Sequence, residues 1–447
     1  MKEATRQAIE EAESYQFSSL NLSASDMPIP ERVFSNLNLK DLSLQMCDLD
    51  KISNRLGGLK NLQRLTLNRN TLRTLPDSLA EIQGLKSLDL ADNQFEVFPH
   101  PVCQLKHLET LWMSDNQLKA LPPVFTQLNQ LKEVSLRENN FHAFPEPLLS
   151  LHQLELLNLS DNPIASIPAG ICSLTKLKKL KLANCALTSF SNALLALTHL
   201  THLDLSLNPI SHLDADLSPW NKLEILHLQS MDLKSLPPSF SQLRALEILS
   251  LQENHLQALP DLNAMHTLRH LDLSHNHFKV FPASICQLPA LKVLHFAHNV
   301  LTDLPESIAH LSELYELDLS YNALQDLPSS LRSMGRSLVE INLSHNQFCQ
   351  VPQVLIDLAR DHAPLDQSLP DEGFPDLDMS YNQIKEIPRE LFMDCVFLSF
   401  EGNQITRIPD AHLLQVTKGE GGELNLRGNP LVDFNLDLAR SRFEVII

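Results

Sequence analysis

Taken in steps of 23 residues, the sequence lines up side chains that could do chemistry. One column contains Asp92, Asp115, Glu138 and Asp161. On neighbouring strands roughly 4.8 Å apart, four carboxylates repel one another and suit a basic partner or a cation. Each also stands just before an Asn or its equivalent, where an acid can serve the turn by capping backbone groups. Further along, the same column runs His275, His298, Tyr321, His345 and Tyr381, with His270, His295 and Tyr315 close by and Ile225, Ile248 and Val293 in a neighbouring column. Such a mixture of rings, imidazoles and aliphatics resembles an interface core more than a solvated surface. Adjacent His275 and His298 invite zinc, but no Cys or carboxylate set stands at ligand spacing, so no metal is expected. In another column Trp112 is a large ring among small polar residues, and exposed Trp is enriched where proteins bind one another. Lys181 and His227 share that column. Lys178, Lys179 and Lys181 make one basic rung, too small for nucleic acid. There is no phosphate-binding loop, nucleophile elbow, HExxH or kinase signature. No catalytic residue and no cofactor are expected.

The columns exist because the chain repeats. Leu62–Pro76 reads LQRLTLNRNTLRTLP, Leu85–Pro99 reads LKSLDLADNQFEVFP, and Leu108–Pro122 reads LETLWMSDNQLKALP. The frame is LxxLxLxxNxLxxLP, followed by a half such as DSLAEIQG. Indexed by its Asn or the residue replacing it, the frame recurs 18 times, from Ser25 to Asn429, and the step is 23 throughout Cys47 to Asn254. LxLxx alternates at period two, which makes a short strand with Leu inward and positions three, five and eight outward. One repeat cannot bury its own Leu row, whereas stacked repeats share a continuous core beneath a parallel sheet. The Asn follows the strand where the chain turns, and its amide can satisfy backbone groups that would otherwise be buried unpaired. Cys47 and Cys185 replace it with a weak donor and Met231 with none, so the Met231 turn should be the loosest. Pro after the fourth apolar position fixes the chain as it leaves the turn. The apolar second half then packs under the strand as a short helix or 3₁₀ turn. Trp220 takes a Leu position in that half and should be core. Cys103, Cys172 and Cys286 share one slot there and should be small buried hydrophobes.

These repeats resemble the leucine-rich-repeat superfamily in its 23-residue "LP" variety, over about residues 17–434. The resemblance implies an α/β architecture: a right-handed solenoid of about 18 repeats, a parallel sheet on the concave face, and short helices or 3₁₀ turns on the convex face. It also implies a non-enzymatic module that binds a protein on the concave face. The chain is similar both to translocated bacterial leucine-rich-repeat effectors and to intracellular scaffolds that associate with Ras-type small GTPases. A third alternative is the repeat region of a ubiquitin-ligase-type effector without its catalytic domain. The absence of an attached domain and of a classical signal favours the effector setting, with the protein cytosolic or translocated into host cytoplasm.

Composition agrees with this reading. Of 447 residues 90 are Leu, and 35 Lys plus Arg against 54 Asp plus Glu give a formal charge of −19. Such acidity disfavours nucleic acid and anionic membranes as partners. No apolar run is long enough to span a membrane. The seven Cys are scattered without a CxxC pair, as expected of reduced thiols. A monomer is expected. Outside the regular register, residues 1–16 read as an amphipathic cap helix, 361–373 as an acidic excursion loop, and 435–447 as a C-terminal cap or tail. The tail ends in Phe443, Val445, Ile446 and Ile447, which could seal the last repeat or act as an export address.

Overall fold

The computed structural model describes residues 18–23, 29, 31–35, 38–334, 337–362, 376–392, 397–414, 416 and 422–447. The chain forms two compact units, one reaching Ile210 and the other starting at Ser211. The first holds nine three-residue strands, from Ser19–Asn21 to His202–Asp204, and the second holds ten, from Ile225–His227 to Glu444–Ile446. Within each unit every strand pairs in parallel with the next. The register is strict. Thr110, Leu111 and Trp112 lie beside Glu133, Val134 and Ser135, and His270, Leu271 and Asp272 lie beside Val293, Leu294 and His295. Like positions of successive repeats therefore become neighbours, and the columns of the sequence become rows of side chains.

The inward row is the core. Leu65, Leu67, Leu88, Leu90, Leu203 and Leu205 are all buried, as are the residues that replace Leu at these positions, such as Met113, Val134, Phe296 and Phe400. Opposite the strands run short 3₁₀ helices such as Asp77–Glu81, Pro123–Gln127 and Pro238–Gln242. The repeat's Pro sits at their N-caps: Pro76 has φ −68° and ψ 145°, an extended geometry that hands the chain to the helix. Ser191, where Pro is missing, holds a similar extended geometry and its 3₁₀ helix still forms. Trp220 is buried, as its place in the repeat requires. The shared cysteine slot divides. Cys103 and Cys286 are buried but Cys172 is exposed, which corrects the expectation for that residue. Burial pushes the Cys103 thiol up to about 11.

The Asn row holds the turns together. Asn70 Nδ2 donates to the carbonyls of Leu44, Leu67 and Asn68 at 2.9, 2.8 and 3.2 Å. Its Oδ1 accepts the N–H groups of Cys47 and Leu49 from the preceding repeat at 3.0 Å each. Each such amide ties two repeats through groups that would cost about 1–3 kcal/mol apiece if left buried and unpaired. Three described repeats without Asn solve the turn differently. The Cys47 and Cys185 thiols donate to the Leu22 and Leu159 carbonyls at 3.1 and 3.2 Å. In all three, the residue after the replacement also turns left-handed: Asp48 at φ 50°, Ala186 at 56° and Asp232 at 62°. That swings the Cys47, Cys185 and Met231 N–H groups onto the next repeat's Asn Oδ1, at 3.0, 3.0 and 3.2 Å. The Met231 N–H is thus bonded, but the thioether has no donor for the carbonyls that an Asn amide would reach, and a second residue takes an unfavourable backbone region.

Irregular register brings the α-helices. Gln353–His362 is a ten-residue helix that buries Val354, Leu355, Leu358 and Ala359. It takes in the first two residues of the expected 361–373 loop, and the rest of that loop lies outside the described residues, as does the expected helix over 1–16. At the C-terminus, the Asn435 side chain caps the helix Leu436–Arg440 by accepting the Leu438 N–H at 3.1 Å. Glu444–Ile446 then pairs with Glu423–Asn425 as one more strand. Phe443 is buried there, while Ile446 and Ile447 remain exposed. No helix among the described residues is long and apolar enough to cross a membrane.

Candidate partner-binding face

On the outward face of the strands, three side chains per repeat project from positions three, five and eight. The eighth position is a turn residue throughout. Its φ is positive wherever that residue is described, including 53° at Asp92, 57° at Asp115, 55° at Glu138 and 59° at Asp161. For a residue with a Cβ this costs about 1 kcal/mol or more. The compensation is a hydrogen bond to the next repeat: the Asp92 and Asp115 N–H groups donate to the Ser114 and Arg137 carbonyls at 2.9 and 2.8 Å. The side-chain caps of these turns come from another column than expected. Fifth-position Asp and Asn accept from the N–H two residues on, as in Asp89 to Ala91, Asp272 to Ser274 and Asp378 to Ser380, at 2.8–3.0 Å.

In the first unit Trp112 stands 44% exposed, flanked in register by Asp89 and Ser135. Burial raises the Asp89 carboxyl against the pull of the Ala91 N–H. The neighbouring acids are partly neutralised from within. Arg137 Nε lies 2.7 Å from Asp161 and its guanidinium 3.9 Å from Glu138, and Arg69 is 3.9 Å from Asp92. Asn184 adds a 3.0 Å donor to Asp161. Lys181 is exposed on its strand, beside Asn158 and Asp204.

The second unit brings its rings together. His275, His298, Tyr321, His345 and Tyr381 form one continuous stack, with centroids 3.9, 3.9, 3.9 and 4.3 Å apart and planes within 13° of parallel. The common left-handed turn explains it. Each residue leaves the backbone in one direction, so each ring lies on the ring of the next repeat. Tyr381 ends the stack over Gly402, whose φ is +66°; a Cβ there would lie 2.6 Å from the Tyr381 ring. The Tyr381 hydroxyl donates to Glu401 at 2.6 Å, a bond that raises the phenol and lowers the carboxylate. Burial, helped by the neighbouring imidazoles of His275 and His345, lowers His298.

Beside the stack, His295 lies between two carboxylates, with Nε2 2.6 Å from Glu316 and Nδ1 3.8 Å from Asp272. Together they hold the imidazole up to about 9, Asp272 through its charge and Glu316 through the one short hydrogen bond. Burial pushes Asp272 up, but His295 and the Ser274 donors win and leave it low. His270 meets His295 edge to face at 5.4 Å and is lowered, first by burial and then by that cation. His227 is half-buried against the Ser250 hydroxyl at 2.9 Å, and Ile248 is half-buried between Ile225 and His270. Tyr315 is exposed but stays out of the stack, because it is the second residue of its repeat and precedes the strand. No group of three or more His, Cys, Asp or Glu side chains placed to hold a metal ion occurs among the described residues. Sequence reasoning missed Glu316, Glu340 and Asp376, third-position acids on three adjacent strands. Their spacing was visible in the repeat register. Burial raises both Glu340 and Asp376, and repulsion from its acidic neighbours adds to the rise at Glu340.

Three matches to the family described as Leucine rich repeat cover 221–278, 266–324 and 289–348. Related leucine-rich-repeat families match 196–212, 107–128 and 153–174. No curated protein matches the sequence. Among solved structures, a leucine-rich-repeat protein of Leptospira interrogans is 26% identical, with TM-score 0.70, over 91% of this chain and 95% of that one. YopM from Yersinia enterocolitica is 20% identical, with TM-score 0.59, over 99% and 94%. The Arabidopsis receptor kinase HAESA ectodomain, solved with a peptide hormone ligand, is 22% identical, with TM-score 0.60, over 96% and 81%. The repeat register, the parallel sheet with its Asn row, and these matches make this chain a leucine-rich-repeat protein.

Proposed function

We propose that this protein is a non-enzymatic, monomeric interaction module that binds a partner protein on the outward face of its sheet. The observation that carries this is the run of five stacked rings in the second unit, with Tyr321 and Tyr381 42% and 47% exposed. Large rings held rigid lose little entropy on binding and bury much apolar area, which is why they dominate interfaces. Trp112 offers a similar anchor in the first unit, with Asp92, Asp115, Glu138, Asp161 and Lys181 around it. His227, Ile248, His295 and Tyr315 belong to the second unit's contact surface. The solved plant ectodomain of this fold with a peptide ligand supports the mode of use. The setting we read with it is an effector that works in host cytoplasm on a host protein; the bacterial leucine-rich-repeat proteins share the fold.

The test is affinity capture from eukaryotic lysate with wild type, with Trp112→Ala, and with His298→Ala plus Tyr321→Ala. The variants should keep the wild-type melting temperature within a few degrees and lose a captured protein. A partner retained by both variants would move the interface away from these rings. A fused reporter that never enters host cells would remove the effector setting and leave the module reading intact.

A further inference from the structure

The two units differ in the charge of their outward positions. In the first, positions three, five and eight include Arg64, Arg69, Lys179 and Lys181. In the second, from Ile225 to Gly428, these positions hold no Lys or Arg. They hold instead Asp272, Glu316, Asp318, Glu340, Asp376 and Asp378, in two columns beside the ring stack. The cation within the strip, His295, is already engaged by Asp272 and Glu316. Glu340 and Asp376 stand side by side in register on adjacent strands, and Asp318 lies one strand away. This face therefore combines an apolar rail of ring edges with a parallel row of carboxylates whose charge the outward positions leave unbalanced.

Resting on the protein-binding reading above, we infer that the second unit's outward face docks an arginine-rich segment of the partner. The chemistry selects arginine. Its long aliphatic stem can lie along ring edges while its planar guanidinium grips a carboxylate through two hydrogen bonds. An acidic or apolar segment would leave the carboxylate row buried without counter-charge, at a cost that grows with desolvation. Lysine supplies the charge but only as a point, so it binds more weakly. Repeats roughly 4.8 Å apart present this pairing several times in succession, which suits an extended segment better than a single side chain.

The experiment uses the full chain and a labelled oligoarginine peptide, followed by fluorescence anisotropy at fixed salt. Wild type should bind it more tightly than oligolysine of equal length and should ignore oligoglutamate. Glu340→Gln with Asp376→Asn should weaken binding at least about tenfold, the worth of one charge-assisted hydrogen bond. Asp77→Asn with Glu96→Gln removes the same charge from exposed positions of the first unit outside the outward columns and should change affinity by less than about twofold, as expected of solvent-screened charges that do not touch the peptide. Tyr321→Ala should weaken binding as well. Thermal melts keep the comparison sound, because neutralising like charges in register should hold or raise the melting temperature. If the double variant fails to fold, each single substitution takes its place. Equal losses in the two charge pairs would mean net charge alone attracts the peptide, and the inference would be overturned. No binding by wild type, or full binding by the Glu340/Asp376 variant, would overturn it too. A partner that depends on Tyr321 in a chain that ignores oligoarginine would sink the arginine assignment alone. A face that holds neither would sink both.

Discussion

His295 and His298 lie in adjacent columns of one repeat and titrate in opposite senses. His295 is raised from 6.5 to about 9 by its two carboxylates. A raised imidazole stabilises the fold fully below its ordinary value, and that gain fades as pH climbs through about 9. His298 is lowered by burial and by neighbouring imidazoles. Its protonation is easier in the unfolded chain, so it subtracts stability as pH falls below the ordinary value. The expected result is a melting temperature that declines on both sides of neutrality. His295→Gln should cost about 1–2 kcal/mol near pH 7, with solvent screening allowed for, and should flatten the alkaline limb. His298→Gln should flatten the acid limb instead. Melts across this pH range check both, and an unaltered alkaline limb in His295→Gln would refute the clamp. The imidazoles of this strip were visible in the sequence. Their opposite titration was not, since it depends on which neighbour each ring touches.

At the scale of elements, the C-terminal strand shows what closes the sheet. Glu444–Ile446 pairs with Glu423–Asn425, the Leu426 N–H donates to Ile446 at 2.7 Å, and the Arg442 guanidinium donates to the Val416 carbonyl at 2.6 Å. Of the four apolar tail residues, Phe443 alone is buried. Deleting Arg442–Ile447 should therefore cost about 2–3 kcal/mol, the burial of one Phe plus edge hydrogen bonds, rather than the burial of four side chains. A calorimetric melt reads this directly. Unchanged stability would show that the strand adds nothing to the fold and leave an export address as the tail's role. The three described turns without Asn carry a related lesson. Cys47, Cys185 and Met231 announce themselves as gaps in the Asn column, and the physical answer is a second left-handed residue that re-aims an N–H.

For the molecule as a whole, a formal charge of −19 is the governing long-range quantity. Local pairs such as Lys132–Glu109 and Lys178–Glu155 offset part of it at the surface. Exposed pairs contribute little, while the excess of like charge opposes compaction. Raising salt from about 0.01 M to about 0.15 M shortens the screening length from about 30 Å to about 8 Å and should raise the melting temperature. A melt series in sodium chloride checks this, and a falling temperature would mean that attractive pairs dominate instead.

The sequence by itself determined the repeat, the inward Leu row, the parallel strands, the Asn turns and the outward columns. Each of these follows from period and residue type within one 23-residue frame, and the register repeats often enough to leave little freedom. It also marked the ring column, because identical positions in successive repeats must become neighbours. Only the tertiary structure decided what those neighbours do. Five rings stack because the eighth position is left-handed in every one of these repeats, a backbone state that the residue types Tyr and His do not announce. Glu316 clamps His295 across strands, Gly402 makes room for Tyr381, and Cys172 is exposed where its column-mates are buried. Those outcomes turn on side-chain direction and on distances of an ångström or two between chain segments far apart in sequence. No pattern of residue types carries that information.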